Sequence, residues 1–533
     1  MVLGLRARRC QIGGEPGGRR RRAAGPILAG LLAALAPAAG VVALAMVAGL
    51  AGVGCGPSSD PGSPGSAGLA GSSAGTSAAA ALGSASSSTA GALDGGPPPL
   101  DGGSPPPSRD AGATLPENPQ ASLGREVAPR RARPEASVTV RACSFEEAVC
   151  VHGGSGVSAD ALAATLRHAE SALRSQRALS LPPPLPDGLL GGRPALDIYV
   201  VPGAEPPFAA ADLETLSGAF DRSSAFLVLP PPDRWDACEG RARTALAVAE
   251  ASLMRLDAGA EAGVVQMAAS YVASLTASCS SLEVAAMDAF QRAPERALTE
   301  ASATTLLTGA LLFPWYLDEA YGTGRPAALI TGLMAIAAQR TPPGAWGFYN
   351  EPDAFDALRL VLRERGAALD DLLLDFMVAR GFVGSRSDEG HLSDVARFGD
   401  AGRVRFEWAV PYASLPRRLA PLRPIDPTGA TYIWLSMEGA PAGSGLTFVA
   451  DWELDVLFRW ALVKVDRDGR EVGRVTVAGV FGNTHAEQTV VGLDNLAGVL
   501  VVGVNAGSMD RSRPFDPDEG PFMPRSYTVT LYP

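Results

Sequence analysis

Residues 241–257 read RARTALAVAEASLMRLD. Leu246, Ala249, Leu253 and Leu256 recur at three- and four-residue spacing, which puts them on one helical face and predicts a core helix. Downstream, EAGVVQMAASYVASL (261–275) predicts a second helix. SATTLLTGALLFPWYLDEAYG (302–322) predicts a third, broken at Pro314, whose ring removes a donor and crowds the preceding turn. AFDALRLVLRERG (354–366) and LDDLLLDFMVARGFVG (369–384) complete the helical set. Upstream, ALDIYVV (195–201) and SAFLVLP (224–230) are short apolar runs that predict buried strands. Before them, SADALAATLRHAESALRSQ (158–176) predicts a helix capped by Ser158. Asp160 there complements the helix dipole, and Leu162, Leu166, Ala169 and Leu173 form one stripe.

From Arg403 the pattern switches to short strands: RVRFEWAV, ATYIWLSM, LFRWALVKVD, REVGRVTVAG, AGVLVVGVN and SYTVTLYP. Asp468-Gly469 between two of these runs marks a tight hairpin. Strands at this spacing predict an antiparallel β-sandwich. The expected fold class is α+β, with a helix/strand domain at 136–400 followed by the sandwich at 401–533.

The order helix, strand, edge strand, long helix, second helix resembles the catalytic domain of gluzincin-type zinc metallopeptidases. ALDIYVV is similar to that family's early strand, and SAFLVLP to its edge strand before the active-site helix. LLFPWYLDEAYG and LDDLLLDFMVARGFVG resemble its later helices. The resemblance covers roughly Val138 to the C-terminus and implies a zincin-like domain.

The same resemblance exposes what is missing. A gluzincin carries HExxH, whose two histidines one helical turn apart reach one zinc while the glutamate activates water. The matching positions here are Ala249-Glu250-Ala251-Ser252-Leu253. Alanine and leucine have no lone pair to offer a metal. The family's third ligand, a glutamate on the next helix, falls at Gln266. Only Glu250 survives. No histidine lies between His168 and His391, so a zinc site of this type cannot form on the helix. Ala249, Glu250, Leu253 and Gln266 are therefore a relic motif, and neither metal, cofactor nor catalytic residue is expected.

Other chemistry-bearing residues are weaker. Asp318 and Glu319 follow the aromatic run FPWY, but neighbours on a helix point in different directions, unlike a glycosidase pair. His485 and Glu487 share one face of a strand and suit a surface pair better than half of a metal site. FDPDEG (515–520) offers carboxylates without the spacing of a calcium loop. GGSG (153–156) has no lysine and no expected preceding strand, so it does not read as a phosphate loop.

The chain carries 45 Lys+Arg against 56 Asp+Glu, a formal net charge of -11, which argues against nucleic acid as a partner. A basic segment ending at Arg19–Arg22 precedes an uncharged stretch from Pro26 to Gly54. This predicts a secretion signal over 1–54. Gly52, Val53 and Gly54 before Cys55 resemble the lipobox of bacterial lipoproteins, although that motif's usual leucine is Gly52 here. Cys55 is the expected lipidation site, and several acyl chains give stable attachment to a membrane. Residues 55–135, mainly Gly, Ser, Ala and Pro, read as a disordered tether. In an exported chain, Cys143 with Cys150 and Cys238 with Cys279 are the expected disulfides. The expected protein is a non-catalytic envelope lipoprotein of the outer membrane, with an unknown envelope protein or polymer as partner. The alternative is a hydrolase of an envelope or extracellular polymer with a non-zinc site.

Overall fold

A computed structural model describes residues 132–134, 140–204, 206–212, 222–300, 307–338, 353–454, 456–477, 484–508 and 524–533. The expected leader, Cys55, most of the expected tether and the acidic turn at 515–520 lie outside the described residues. Among the described residues, no helix is long and apolar enough to cross a membrane.

The chain is α+β. A first sheet holds β1 (Val140–Cys143), β2 (Val149–Gly153), β3 (Leu196–Val200), β4 (Phe208–Ala211) and β5 (Ala225–Leu229), in the order β1-β2-β3-β5-β4. β2, β3 and β5 run parallel, and β1 and β4 close the two edges antiparallel. Leu196, Ile198 and Val200 point into the main core, and Tyr199 belongs to a separate small cluster with Phe226 and Val228. Burial on both faces explains why ALDIYVV is nearly continuous in apolar residues. SAFLVLP, likened to an edge strand, is instead an interior strand, and the edge is formed by Phe208–Ala211, a run of alanines too short to signal a strand.

Helices α1 (Ala159–Ala178), α2 (Ala237–Leu256), α3 (Ala262–Ala277) and α4 (Ser280–Arg292) follow in chain order. Ser158 caps α1 as expected, its side chain accepting from the Ala161 N–H. GGSG does follow a strand, β2, so the loop joins strand to helix, contrary to expectation; no lysine accompanies it. α5 (Leu312–Tyr321), α6 (Ala328–Ala337), α7 (Ala354–Glu364) and α8 (Leu369–Gly381) complete the described helices. Pro314 does not break α5. It is the helix's third residue, where its missing N–H would have had no intrahelical partner. The residues at 302–306 lie outside the described set.

Two further sheets come from the C-terminal third. One holds β6 (Trp408–Pro411), β8 (Ala430–Ser436), β10 (Val456–Asp466), β11 (Glu471–Val477) and β13 (Leu496–Ser508) in the order β11-β10-β13-β8-β6. The other holds β7 (Arg417–Leu419), β9 (Leu446–Trp452), β12 (His485–Val490) and β14 (Tyr527–Tyr532) in the order β12-β9-β14-β7. β10 and β11 form the expected hairpin, with Gly469 at φ 82° in the left-handed region that glycine adopts freely. The pairing is not wholly antiparallel, because β6 runs parallel to β8. RVRFEWAV contributes only its last three residues to that strand.

The centre of this five-stranded sheet is buried on both faces, while its edge strands β11 and β6 are partly exposed. Trp460 and Leu462 of β10 join a core shared with β9 and β14, while Ala461 and Val463 join the core of the helices. On the helix side the Tyr432 hydroxyl donates to the Met377 carbonyl of α8 at 2.7 Å. Both expected disulfides are present. Cys143–Cys150 joins directly paired positions of β1 and β2, and Cys238–Cys279 ties the start of α2 to the residue preceding α4, with Cα atoms 5.5 Å apart.

Candidate functional site

Ala249, Glu250 and Leu253 lie on α2 and Gln266 on α3, with β4 alongside α2. Asp236 starts α2 by accepting from the Glu239 N–H at 2.7 Å. The helix is then buried around most of its circumference, not along one stripe: Ala245, Leu246, Ala247, Val248, Ala249 and Ala251 are all in the core. Such a helix lies inside a fold, here beneath the β4 and β5 edge and against its neighbours.

Ala249 and Leu253 are both 0% exposed and belong to the main hydrophobic core, together with Met254 and Met267. Glu250 is different. It is partly exposed, and its carboxylate accepts a hydrogen bond from the Ala209 backbone N–H of the edge strand β4. Burial against the sheet nevertheless pushes its carboxyl up to about 7, because the charged form loses water that one N–H does not replace. Gln266 sits on α3. Its Oε1 is buried and has no hydrogen-bond partner among the described residues.

The other residues singled out in the sequence do not converge on this helix. The Asp318 carboxylate accepts from the Tyr271 hydroxyl at 2.9 Å and from the Ala327 N–H. Glu319 instead accepts from the Trp315 indole N–H at 2.7 Å and binds Ser393. The two carboxyls thus face different partners and do not flank a common space. His485 pairs across the strands with Asp451, Nδ1 to oxygen 2.8 Å, on an exposed face. Asp236 lies near Cys238 and Cys279 within reach of a common ion, but both sulfurs are committed to the disulfide and offer no thiolate.

A cluster that the sequence reading missed lies on the outer face of the first sheet. Arg133, placed by the sequence in the tether, is docked there. Its guanidinium meets Asp187 at 2.9 Å, Asp212 at 2.7 Å and Asp197. His152 Nε2 bonds the second oxygen of Asp197 at 2.7 Å and stacks on Tyr199. Burial, and then the facing Asp197, push the Asp187 carboxyl up to about 6, while His152 and Arg133 help to hold Asp197 low despite its burial. One signal was available: Asp197 is the lone charge inside ALDIYVV, and a charge in a buried strand requires a partner.

No protein-family model matches the chain, and no curated protein matches it. Among solved structures it is similar to the pre-peptidase C-terminal domain of a collagenase from Bacillus anthracis. That match covers 24% of this chain and 96% of that one, at 7% identity and a TM-score of 0.16. It is also similar to chitosan-binding module 1 of a chitosanase/glucanase from Paenibacillus sp. IK-5. There the match covers 22% of this chain and 79% of that one, at 15% identity and a TM-score of 0.14. Likenesses at these TM-scores say nothing about ligand or activity.

Proposed function

We propose that the chain is an exported, non-catalytic envelope lipoprotein, anchored at Cys55, whose ectodomain pairs a degenerate gluzincin-type scaffold with a β-sandwich. Its role is binding or assembly of an envelope protein or polymer. The observation that carries this reading is the full burial in the hydrophobic core of Ala249 and Leu253, the apolar side chains at the two positions matched to histidine. The antiparallel edge strand β4 over the α2 glutamate fits the inherited framework. Gln266, a neutral amide, stands where a carboxylate ligand belongs.

One feature favours the alternative, a hydrolase working without zinc. The Glu250 carboxyl lies near neutrality, the range a general acid–base needs. Its bonded partner, however, is a backbone N–H and not a nucleophile or a second acid. The deciding experiment is metal analysis of the purified full chain, with melting followed with and without chelator. The scaffold reading expects no stoichiometric zinc and no chelator-induced shift. It also expects the double variant Ala249→His with Leu253→His to take up metal weakly and cleave no peptide, because the third ligand is still missing. Stoichiometric zinc bound at α2 and required for peptide cleavage would overturn it.

A further inference from the structure

We propose that Asp187, Asp197 and Asp212 form an arginine-recognition socket, filled in cis by Arg133 and open to an arginine of another extended polypeptide segment when Arg133 leaves. The site is separate from the α2 relic motif and stands whether or not the chain descends from a peptidase.

Three features make this a socket for a guanidinium and not merely an acidic cluster. First, its occupant is a guanidinium delivered from outside the sheet. Arg133 precedes β1 and lies 64 residues from Asp197 and 79 from Asp212. Second, the geometry matches a planar fork. Nε and Nη2 of Arg133 reach the two oxygens of Asp212 at 2.8 and 2.7 Å. Nη2 also meets Asp187, and Nη1 reaches Asp197 and, at 3.4 Å, the Tyr199 hydroxyl. A lysine ammonium is a point charge and cannot span these acceptors together. The Phe226 ring lies 5.2 Å from the guanidinium carbon, a cation–π contact that also suits a flat cation. Third, the host is preformed by the folded sheet. Asp212 is held by the Ser224 hydroxyl at 2.7 Å, and Asp197 by His152. Gly191 lies so close over Asp197 that a Cβ there would come within 1.7 Å of its carboxylate oxygen. The loop carrying Asp187 can close over the socket only with glycine at that place.

The surroundings provide room for the rest of a peptide. A cavity of about 430 Å³ adjoins the socket, lined by Arg133, Arg141, His152, Leu190, Gly191 and Tyr199 among others. On the same loop Leu189 and Leu190 are 71% and 46% exposed. An arginine flanked by apolar residues fits this combination of acid floor and apolar rim.

The test uses the full chain carrying Arg133→Gly, titrated calorimetrically with N-acetylarginine amide and, separately, N-acetyllysine amide. The expected result is saturable one-to-one binding of the arginine probe, at least about tenfold tighter than the lysine probe. Unaltered protein should show no such binding, because Arg133 fills the site. Adding Asp212→Asn should weaken the arginine probe at least about tenfold, since the bidentate acceptor is lost. If Arg133→Gly does not fold alone, the same probes are added during refolding. Recovery of native circular dichroism with the arginine probe and not the lysine probe supports the socket. A folded variant that binds neither probe, or both within about twofold, overturns it, as does refolding that neither probe assists. None of these outcomes bears on zinc at α2.

Discussion

At the scale of single residues, Glu250 shows why a candidate site is legible only in part. That Ala249 and Leu253 cannot ligate a metal can be read from the sequence, because neither side chain has a lone pair in any fold. The state of Glu250 cannot, since it depends on β4, whose Ala209 is 41 positions away (250 − 209) and lies in a weak strand signal. The Arg133 cluster was hidden for the same reason: its aspartates come from the loop before β3, from β3 itself and from the end of the antiparallel β4, and meet only in the folded sheet. Glu250 also yields a pH prediction. Its folded pKa of about 7 exceeds its ordinary 4.5, so the unfolded chain releases this proton first. Its contribution is most favourable below pH 4.5 and is lost as pH rises from 4.5 to 7, then stays flat. The cost should be about 2 kcal/mol, after discounting for partial exposure. Glu250→Gln keeps an acceptor for the Ala209 N–H and cannot ionise. Urea unfolding across pH 4.5–8 should show the variant gaining on the parent above pH 5. An equal pH slope in both proteins would refute the assignment.

At the scale of elements, legibility followed the strength of the local pattern. α1, α2, α3, α7 and α8, and β3, β5, β8, β10, β13 and β14, all carry long apolar periodicity or β-branched runs, and each lies close to its expected position. β4 (FAAA) and the alanine-rich helix α6 were missed, because alanine signals neither burial nor strand; β6 falls within the expected strand RVRFEWAV, but its parallel pairing with β8 was not legible, because pairing direction is set by distant partners. Pro314 was misjudged because its effect depends on its place within the helix: harmless in a first turn, disruptive in a middle one. The disulfides were legible through the even number of cysteines after residue 55 and their spacing. Cys238–Cys279 closes a loop with a sequence separation of 41 around α2 and α3. The chain-entropy model gives it about 4 kcal/mol of stabilisation. Cys238→Ser with Cys279→Ser should therefore lower the unfolding free energy by about that amount while leaving the helical circular dichroism intact. A loss below about 1 kcal/mol would mean that packing of α2 against α3 already constrains the unfolded chain.

At the scale of the whole described chain, the helical part and the sheet β11-β10-β13-β8-β6 share one continuous core, with Tyr432, Val463 and Leu500 among the helix-side residues. A polar clasp reinforces this junction at one edge. His391 lies on the segment after α8, stacked on Phe382 with ring centroids 4.2 Å apart. Its Nδ1 meets Asp388 at 2.9 Å, and its Nε2 meets Glu471 of β11 at 2.6 Å. Arg474, on the same strand, bonds Glu471 and reaches Asp375 of α8 at 2.8 Å. Both imidazole nitrogens face carboxylates, so the doubly protonated ring fits best. Burial opposes that charge, but Asp388 and Glu471 outweigh it and raise the His391 pKa above its usual 6.5. The same contacts outweigh burial at Asp388 and Glu471 and hold both carboxyls at about 2. The signs then bracket the clasp. The histidine's contribution is full below pH 6.5 and is lost as pH rises through its elevated folded pKa. The carboxylates contribute fully above their ordinary values of 3.8 and 4.5 and lose that contribution as pH falls through about 2. The clasp is strongest between about pH 4.5 and 6.5. His391→Phe keeps the stack on Phe382 but leaves Asp388 and Glu471 without their shared cation, and should cost about 3 kcal/mol at pH 6. The deficit should shrink as the pH is raised toward 9, because the parent protein then loses the charged imidazole as well. Chemical denaturation of parent and variant at pH 6 and 9 measures this directly, and a deficit that is constant across the two pH values would show that the imidazole's charge does not stabilise the clasp.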